Sequence, residues 1–103
     1  MYALVVRFDI RDEEGAREFD ALTARAVEEI TAKEPGTLVY AAAQDNDDPD
    51  VFWFYEFYGS EDAAAAHSGG AALVEAGKSM RGLLAGRPEV HRLTPVAGTG
   101  LPT

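Results

Sequence analysis

Residues Val51 to Tyr58 read Val-Phe-Trp-Phe-Tyr-Glu-Phe-Tyr, and laid out as a β-strand this run has no side made for water. Alternate residues of a strand point to opposite faces. Phe52, Phe54, Glu56 and Tyr58 therefore share one face, and Val51, Trp53, Tyr55 and Phe57 share the other. A sheet with one wet side would alternate apolar with polar residues, so this strand requires cover both above and below. Glu56 is the single charge in the run.

A chain of 103 residues is enough for one modest core and too short for two. Tyr2 to Ile10 alternates as a first strand, with Tyr2, Leu4, Val6, Phe8 and Ile10 on one side. Asp12 can cap a helix whose first turn carries Glu13 and Glu14. Ala16, Phe19, Leu22, Ala26, Val27 and Ile30 recur along one side of that helix. Pro35-Gly36 should then turn the chain, with glycine taking the positive φ that such turns ask for. Thr37 to Gln44, an acidic loop and Val51 to Tyr58 form a hairpin. Ser60 can cap a short helix that includes His67 and breaks at Ser68-Gly69-Gly70; Ala71 to Leu84 resumes helical spacing. Glu89 to Thr94 makes a last strand. Residues 1–95 are thus expected to be one domain, and residues 96–103 a tail; from Pro95 to Thr103 the chain has two glycines and two prolines, which reads as a loose tail or an arm that orders on a partner.

The order strand-helix-strand-strand-helix-strand predicts an α+β, ferredoxin-like βαββαβ fold, a four-stranded antiparallel sheet with its helices on one face. Two layers leave the other face bare, and it would carry Trp53, Tyr55, Phe57, Val5, Val39 and Ala41. Apolar patches of that kind mark interaction surfaces. Pairing two such sheets about a two-fold axis makes a dimeric α+β barrel with an interface expected to exceed roughly 1,000 Å². A homodimer through the Trp53, Tyr55 and Phe57 face is therefore expected.

Composition narrows the function. A formal net charge of -9 argues against nucleic acid or an anionic membrane as partner, since both ask for clustered Lys and Arg. No apolar stretch is long enough to cross a bilayer, and the start reads as a strand rather than a signal peptide. The absence of cysteine removes disulfides and thiol chemistry and fits a cytoplasmic setting. His67 and His91, far apart and without ligand-spaced partners, make no metal site. No dinucleotide-type glycine loop or serine nucleophile motif is present.

Several segments carry a resemblance. Glu34-Pro35-Gly36-Thr37-Leu38-Val39-Tyr40, the loop ending in Asp47-Asp48-Pro49, the strand Phe54-Tyr55-Glu56-Phe57-Tyr58, and Ser60-Glu61-Asp62-Ala63 leading to His67 together resemble the antibiotic biosynthesis monooxygenase family of dimeric α+β barrels. The resemblance implies a cofactor-independent monooxygenase that oxidises a quinol- or anthrone-like aromatic with dioxygen, needing neither metal nor flavin. The family also contains haem-degrading enzymes, whose pattern asks for an Asn in the first strand, a Trp at the end of the short helix and a His in the long helix. Here those positions hold Val6 or Arg7, His67 and Gly77, and glycine cannot ligate iron.

Oxidation of that kind asks for an apolar pocket, a proton acceptor, donors to an oxyanion and exclusion of water. His67 is the first candidate for proton transfer, because an imidazole titrates near neutrality. Glu56, a carboxylate in an aromatic strand, is the second; buried, it must be paired or protonated. Tyr40, Tyr58 and Phe54 share the face of Glu56 if the hairpin pairs even positions with even, and they are candidate substrate contacts together with Arg81. Each has a plainer role: His67 as a helix-end histidine, Glu56 as a structural acid held by Arg81, Arg7 or Tyr40, the tyrosines as core, and Arg81 as a solvated cation. The alternative to an enzyme is a non-catalytic dimeric module that binds a small apolar ligand or serves assembly. The two differ in whether a cavity exists that His67, Tyr40 or Tyr58 reaches.

Overall fold

The computed structural model describes residues 1–101. Its elements are β1 (Tyr2–Asp9), α1 (Glu13–Lys33), β2 (Thr37–Gln44), β3 (Val51–Tyr58), α2 (Glu61–Ser68), α3 (Ala71–Met80), a 3-10 turn at Arg81–Leu83, and β4 (Glu89–Leu93). The strands form one sheet in the order β2-β3-β1-β4, antiparallel throughout. This is the expected ferredoxin-like arrangement. The expected tail is described as far as Leu101; Pro102 and Thr103 lie outside the described residues.

Local chemistry sets the boundaries. Asp12 begins α1 by accepting the Gly15 N–H at 2.7 Å, and Glu13 and Glu14 sit at the positive end of the helix dipole. Glu34 ends it, donating its own N–H to Ile30 O, just before a proline that cannot continue the ladder. The Thr37 N–H then bonds Glu34 O at 3.0 Å and closes the turn. Gly36 does not take a positive φ there, contrary to expectation. Glycine is needed for a different reason: a Cβ at Gly36 would stand 2.9 Å from the Ala63 Cβ, so its bareness lets α2 lie against the turn. The second helix of the repeat is also shorter than its spacing predicts. It stops at Met80, because Arg11 N–H to Leu83 O at 2.9 Å and Ala85 N–H to Asp9 O at 2.7 Å tie the chain to the end of β1, where Leu84 bridges Ile10.

The hairpin pairs even with even: Tyr40 opposite Glu56, Ala42 opposite Phe54, Gln44 opposite Phe52. Between Thr37 and Val39 the register slips, which puts Leu38 in a bulge. The even face of the sheet meets α1. Phe19 is wholly buried there, with ring centroids 5.3 Å from Phe8, 4.9 Å from Phe52 and 6.0 Å from Phe54. Val6, Ile10, Ala16 and Met80 complete this cluster, while Ala26, Ile30 and Ala72 pack under the other end of α1.

The odd face of the sheet has no helix on it. Only Ala3 and Val51 are fully buried on that side; Trp53, Phe57, Val5 and Val39 are half-buried, and Tyr55 and Ala41 are exposed. Arg7 lies 5.5 Å over the Trp53 ring and donates to Asp9, and the Trp53 indole N–H donates to Asp45 at 2.9 Å. Among the described residues no helix is long and apolar enough to cross a membrane.

Candidate functional site

Three chain segments meet at one end of the sheet. β3 ends at Tyr58, which lies opposite Tyr2 of β1 and Thr37 of β2. Gly59 donates its N–H to Gly36 O at 3.2 Å, tying the exit of β3 to the turn after α1. Ser60 then accepts the Ala63 N–H at 3.1 Å and starts α2. Seven residues of helix rise carry His67 back above β3, where it is 2 % exposed.

The imidazole stands between two carboxylates. Its Nδ1 is 2.6 Å from Glu34 Oε1, and its Nε2 is 3.9 Å from Glu56 Oε1. With Glu34 ionised, Nδ1 carries the hydrogen and Nε2 is left as the basic nitrogen facing Glu56. Glu56 in turn accepts a hydrogen bond from the Tyr58 hydroxyl. The ring is also packed between phenols, with centroids 5.0 Å from Tyr40 and 5.5 Å from Tyr58. The result is a buried string running Glu34, His67, Glu56, Tyr58, with Tyr40 against its middle.

The surroundings set the charges. Burial pushes the Glu56 carboxyl above the usual carboxylate range, opposed by the Tyr58 hydrogen bond and by His67. Burial pushes the Tyr58 phenol well up, and the hydrogen bond to Glu56 pushes it further. Tyr40 is also pushed up, first by burial and then by the charges of Glu56 and Glu34. Both phenols therefore remain protonated, and that of Tyr58 donates to Glu56.

A cavity of about 500 Å³ borders the string. His67 and Glu34 lie in its wall, with Pro35, Gly36, Ala63 and Ala72 supplying apolar surface. Its size is that of a small-molecule site. Tyr40, Tyr58, Phe54 and Glu56 stand behind His67 rather than in that wall. Phe54 belongs to the aromatic core, packed edge-on to Tyr40 at 5.4 Å and to Phe8 at 5.1 Å.

Arg81 is not brought to this place. It is exposed in the 3-10 turn near Ile10, at the opposite end of the sheet. Nor do Arg7 or Arg81 hold Glu56; the group that holds it is Tyr58. His91 is exposed on β4 beside Glu89. Glu34 is the site residue that no sequence pattern assigned a role. It ends α1, and its pairing with His67 spans 33 positions, so no periodicity within one element points to it. Among the described residues no group of three or more His, Asp or Glu is disposed to hold a metal ion.

Comparison with known proteins agrees with this architecture. The antibiotic biosynthesis monooxygenase family matches residues 1–79. A structure from Caulobacter crescentus, described as a candidate member of that family, is 28% identical over 93% of this chain and 90% of its own, with a TM-score of 0.88. One from Chloroflexus aurantiacus, similarly described, is 31% identical over 96% of both chains, with a TM-score of 0.77. A third, from Nitrosomonas europaea, is 24% identical over 94% of this chain and 100% of its own with a TM-score of 0.87, and it speaks to the fold alone. No curated protein matches the chain at a significant level. With the family match covering most of the described sequence and the fold agreeing, the chain belongs to the antibiotic biosynthesis monooxygenase family.

Proposed function

We propose that the protein is a cofactor-independent monooxygenase that oxidises a quinol- or anthrone-like aromatic with dioxygen, acting as a homodimer in the cytoplasm. The observation that carries this reading is a buried histidine held between two carboxylates at the wall of a cavity of about 500 Å³. A hydroquinone or anthrone that gives up its hydroxyl proton before or as it is oxidised is electron-rich enough to reduce dioxygen directly. For an anthrone the balance is one substrate and one O₂ giving one quinone and one water: a ring carbon gains one oxygen atom, and the other leaves with the two hydrogens. The protein's share is to take and return a proton, to hold the ring and to keep water out.

His67 and Glu56 supply the proton handling, while Tyr58, kept protonated by burial, holds Glu56 through its hydroxyl and Tyr40 packs against the His67 ring. The bare sheet face bearing Trp53, Tyr55 and Phe57 is the surface we assign to the second copy. A chain without cysteine suits the reducing compartment in which we place it.

The test is oxygen uptake with 1,8-dihydroxyanthrone and 1,4-naphthohydroquinone, without added metal or flavin. His67→Ala should lower turnover by about 10² or more while leaving the oligomer intact. Uptake no faster than the uncatalysed blank, or equal in the variant, would remove the enzyme reading. One observation favours the second reading, a binding module: Phe8, Phe19, Phe52 and Phe54 fill the space between the middle of the sheet and α1. Tight binding of the same aromatics with no oxygen consumed would select it.

A further inference from the structure

The members of the buried string differ in reach. The Glu34 side chain is 16% exposed, that of Glu56 7% and that of His67 2%, and Tyr58 is closed off altogether. Glu34 is thus the acid of the string that solvent, or a molecule replacing solvent in the cavity, can meet.

Its two oxygens are not equivalent. Oε1 lies 2.6 Å from His67 Nδ1 and accepts the Thr37 hydroxyl at 3.2 Å, which fixes the plane of the carboxylate. Oε2 takes no hydrogen bond among the described residues and faces Gly70, where an added Cβ would lie 3.2 Å from it. Both Glu34 and Gly70 line the cavity. An acceptor oxygen is therefore left free, charged and held still beside a site whose remaining wall is largely apolar.

Resting on the reading of the cavity as an aromatic site, we propose that Glu34, through Oε2, is the catalytic residue that accepts the acidic hydroxyl of the aromatic ligand. A neutral phenol or enol binds by donating its O–H to Oε2. When the ring gives one electron to dioxygen it becomes a strong acid, so a carboxylate is basic enough to take the proton in the same event. Glu34 is the first acceptor at the cavity, and His67, against its Oε1, is the group that shares the proton with it; the proton is returned when the second oxygen atom leaves as water, so Glu34 ends each cycle ionised. The ligand class that follows is an aromatic bearing a free hydroxyl; its O-methyl ether, with no hydrogen to donate, is refused.

The experiment measures binding under argon by titration calorimetry, with 1-naphthol and 1-methoxynaphthalene as probes. The full-length protein should prefer 1-naphthol by on the order of 10–100-fold, the worth of one hydrogen bond to a charged acceptor. Glu34→Gln should bring the two affinities close together: its carbonyl keeps the His67 contact, which turns an N–H₂ donor into the place of Oε2. Gly70→Ala leaves the carboxylate intact and sets a methyl 3.2 Å from Oε2 and equally from the carbonyl oxygens of Ala66 and His67; in protein whose circular dichroism spectrum matches that of the wild type it should weaken 1-naphthol binding about tenfold, and it carries the test if Glu34→Gln does not fold. A wild type without preference for 1-naphthol, or variants that keep that preference, would overturn the proposal. The oxygenase reading fails separately, by absent oxygen uptake in a protein that still discriminates the two probes.

Discussion

Replacing Tyr58 by Phe isolates the most buried polar contact in the molecule. Phenylalanine keeps the ring and its volume, so no cavity opens around a side chain that is fully buried. What is lost is the hydroxyl that donates to Glu56, a residue only 5% exposed whose carboxyl has no other hydrogen-bond donor among the described residues. A hydrogen bond to a charged group contributes about 1.5–3 kcal/mol, one to a neutral group about 1 kcal/mol. The cost must therefore depend on pH. Burial raises the folded-state pKa of Glu56 above its ordinary value of 4.5, so between those two values the native state holds more protons than the unfolded state. Its contribution to stability is fully present below the unfolded value and is lost as pH rises through the folded one. Tyr58 opposes that loss by favouring the carboxylate. Without it, the folded pKa rises further and the decline extends to higher pH. Urea unfolding of both proteins at one fixed concentration should give a difference that grows between two pH values, one below the ordinary carboxylate range and one well above it, from about 1 kcal/mol where Glu56 is protonated to about 1.5–3 kcal/mol where it is ionised. Equal differences at the two pH values would show that Glu56 is not an ionised partner of Tyr58, and the charge assignment of the whole string would fall with it.

Other sites give simpler expectations. Phe19→Ala removes the ring that contacts Phe8, Phe52 and Phe54 and should cost about 3–5 kcal/mol in denaturant unfolding; a loss under 1 kcal/mol would mean the core is not organised around it. Thr23 is buried with its hydroxyl unpartnered, so Thr23→Val should be neutral or stabilising by up to about 1 kcal/mol, and a clear fall in the melting temperature would reveal a hidden partner. Tyr55→Asp places a charge at the centre of the uncovered sheet face and should convert a dimeric light-scattering mass to that of one chain; a wild type that is already monomeric would dispose of the assembly we assign to that face.

Much of this fold was legible because its signals are local. The two-sided strand at Val51–Tyr58 announced a sheet needing cover twice, and the alternation of Tyr2, Leu4, Val6 and Phe8 fixed which side of β1 meets a helix. Asp12 and Ser60 started helices where capping chemistry placed them. The departures arise where distant backbone decides. Leu84 continues the helical spacing of α3, yet bonds from Arg11 and Ala85 outcompete the next helical turn. Gly36 looked like a residue chosen for its φ and is instead chosen for the space it leaves to Ala63.

The site divides along the same line. His67 and Glu56 stood out because each is chemically out of place in its own segment, a titratable group in an alanine helix and a carboxylate among aromatics. Arg81 was a candidate only by residue type, and the geometry separates it: β3 has eight residues, so its ends lie roughly 23 Å apart at about 3.3 Å per step. Arg81 sits by one end and His67 by the other. Glu34 had no such local oddity, since an acid at a helix end before a proline is ordinary surface sequence. Its distinction comes only when the Gly59–Gly36 bond and the bare Gly36 draw α2 onto the turn and set Nδ1 of His67 against it. The turn that ends α1 is thus what delivers a carboxylate to the cavity. Widening Gly36 should disturb the Glu34–His67 pair before it disturbs the sheet.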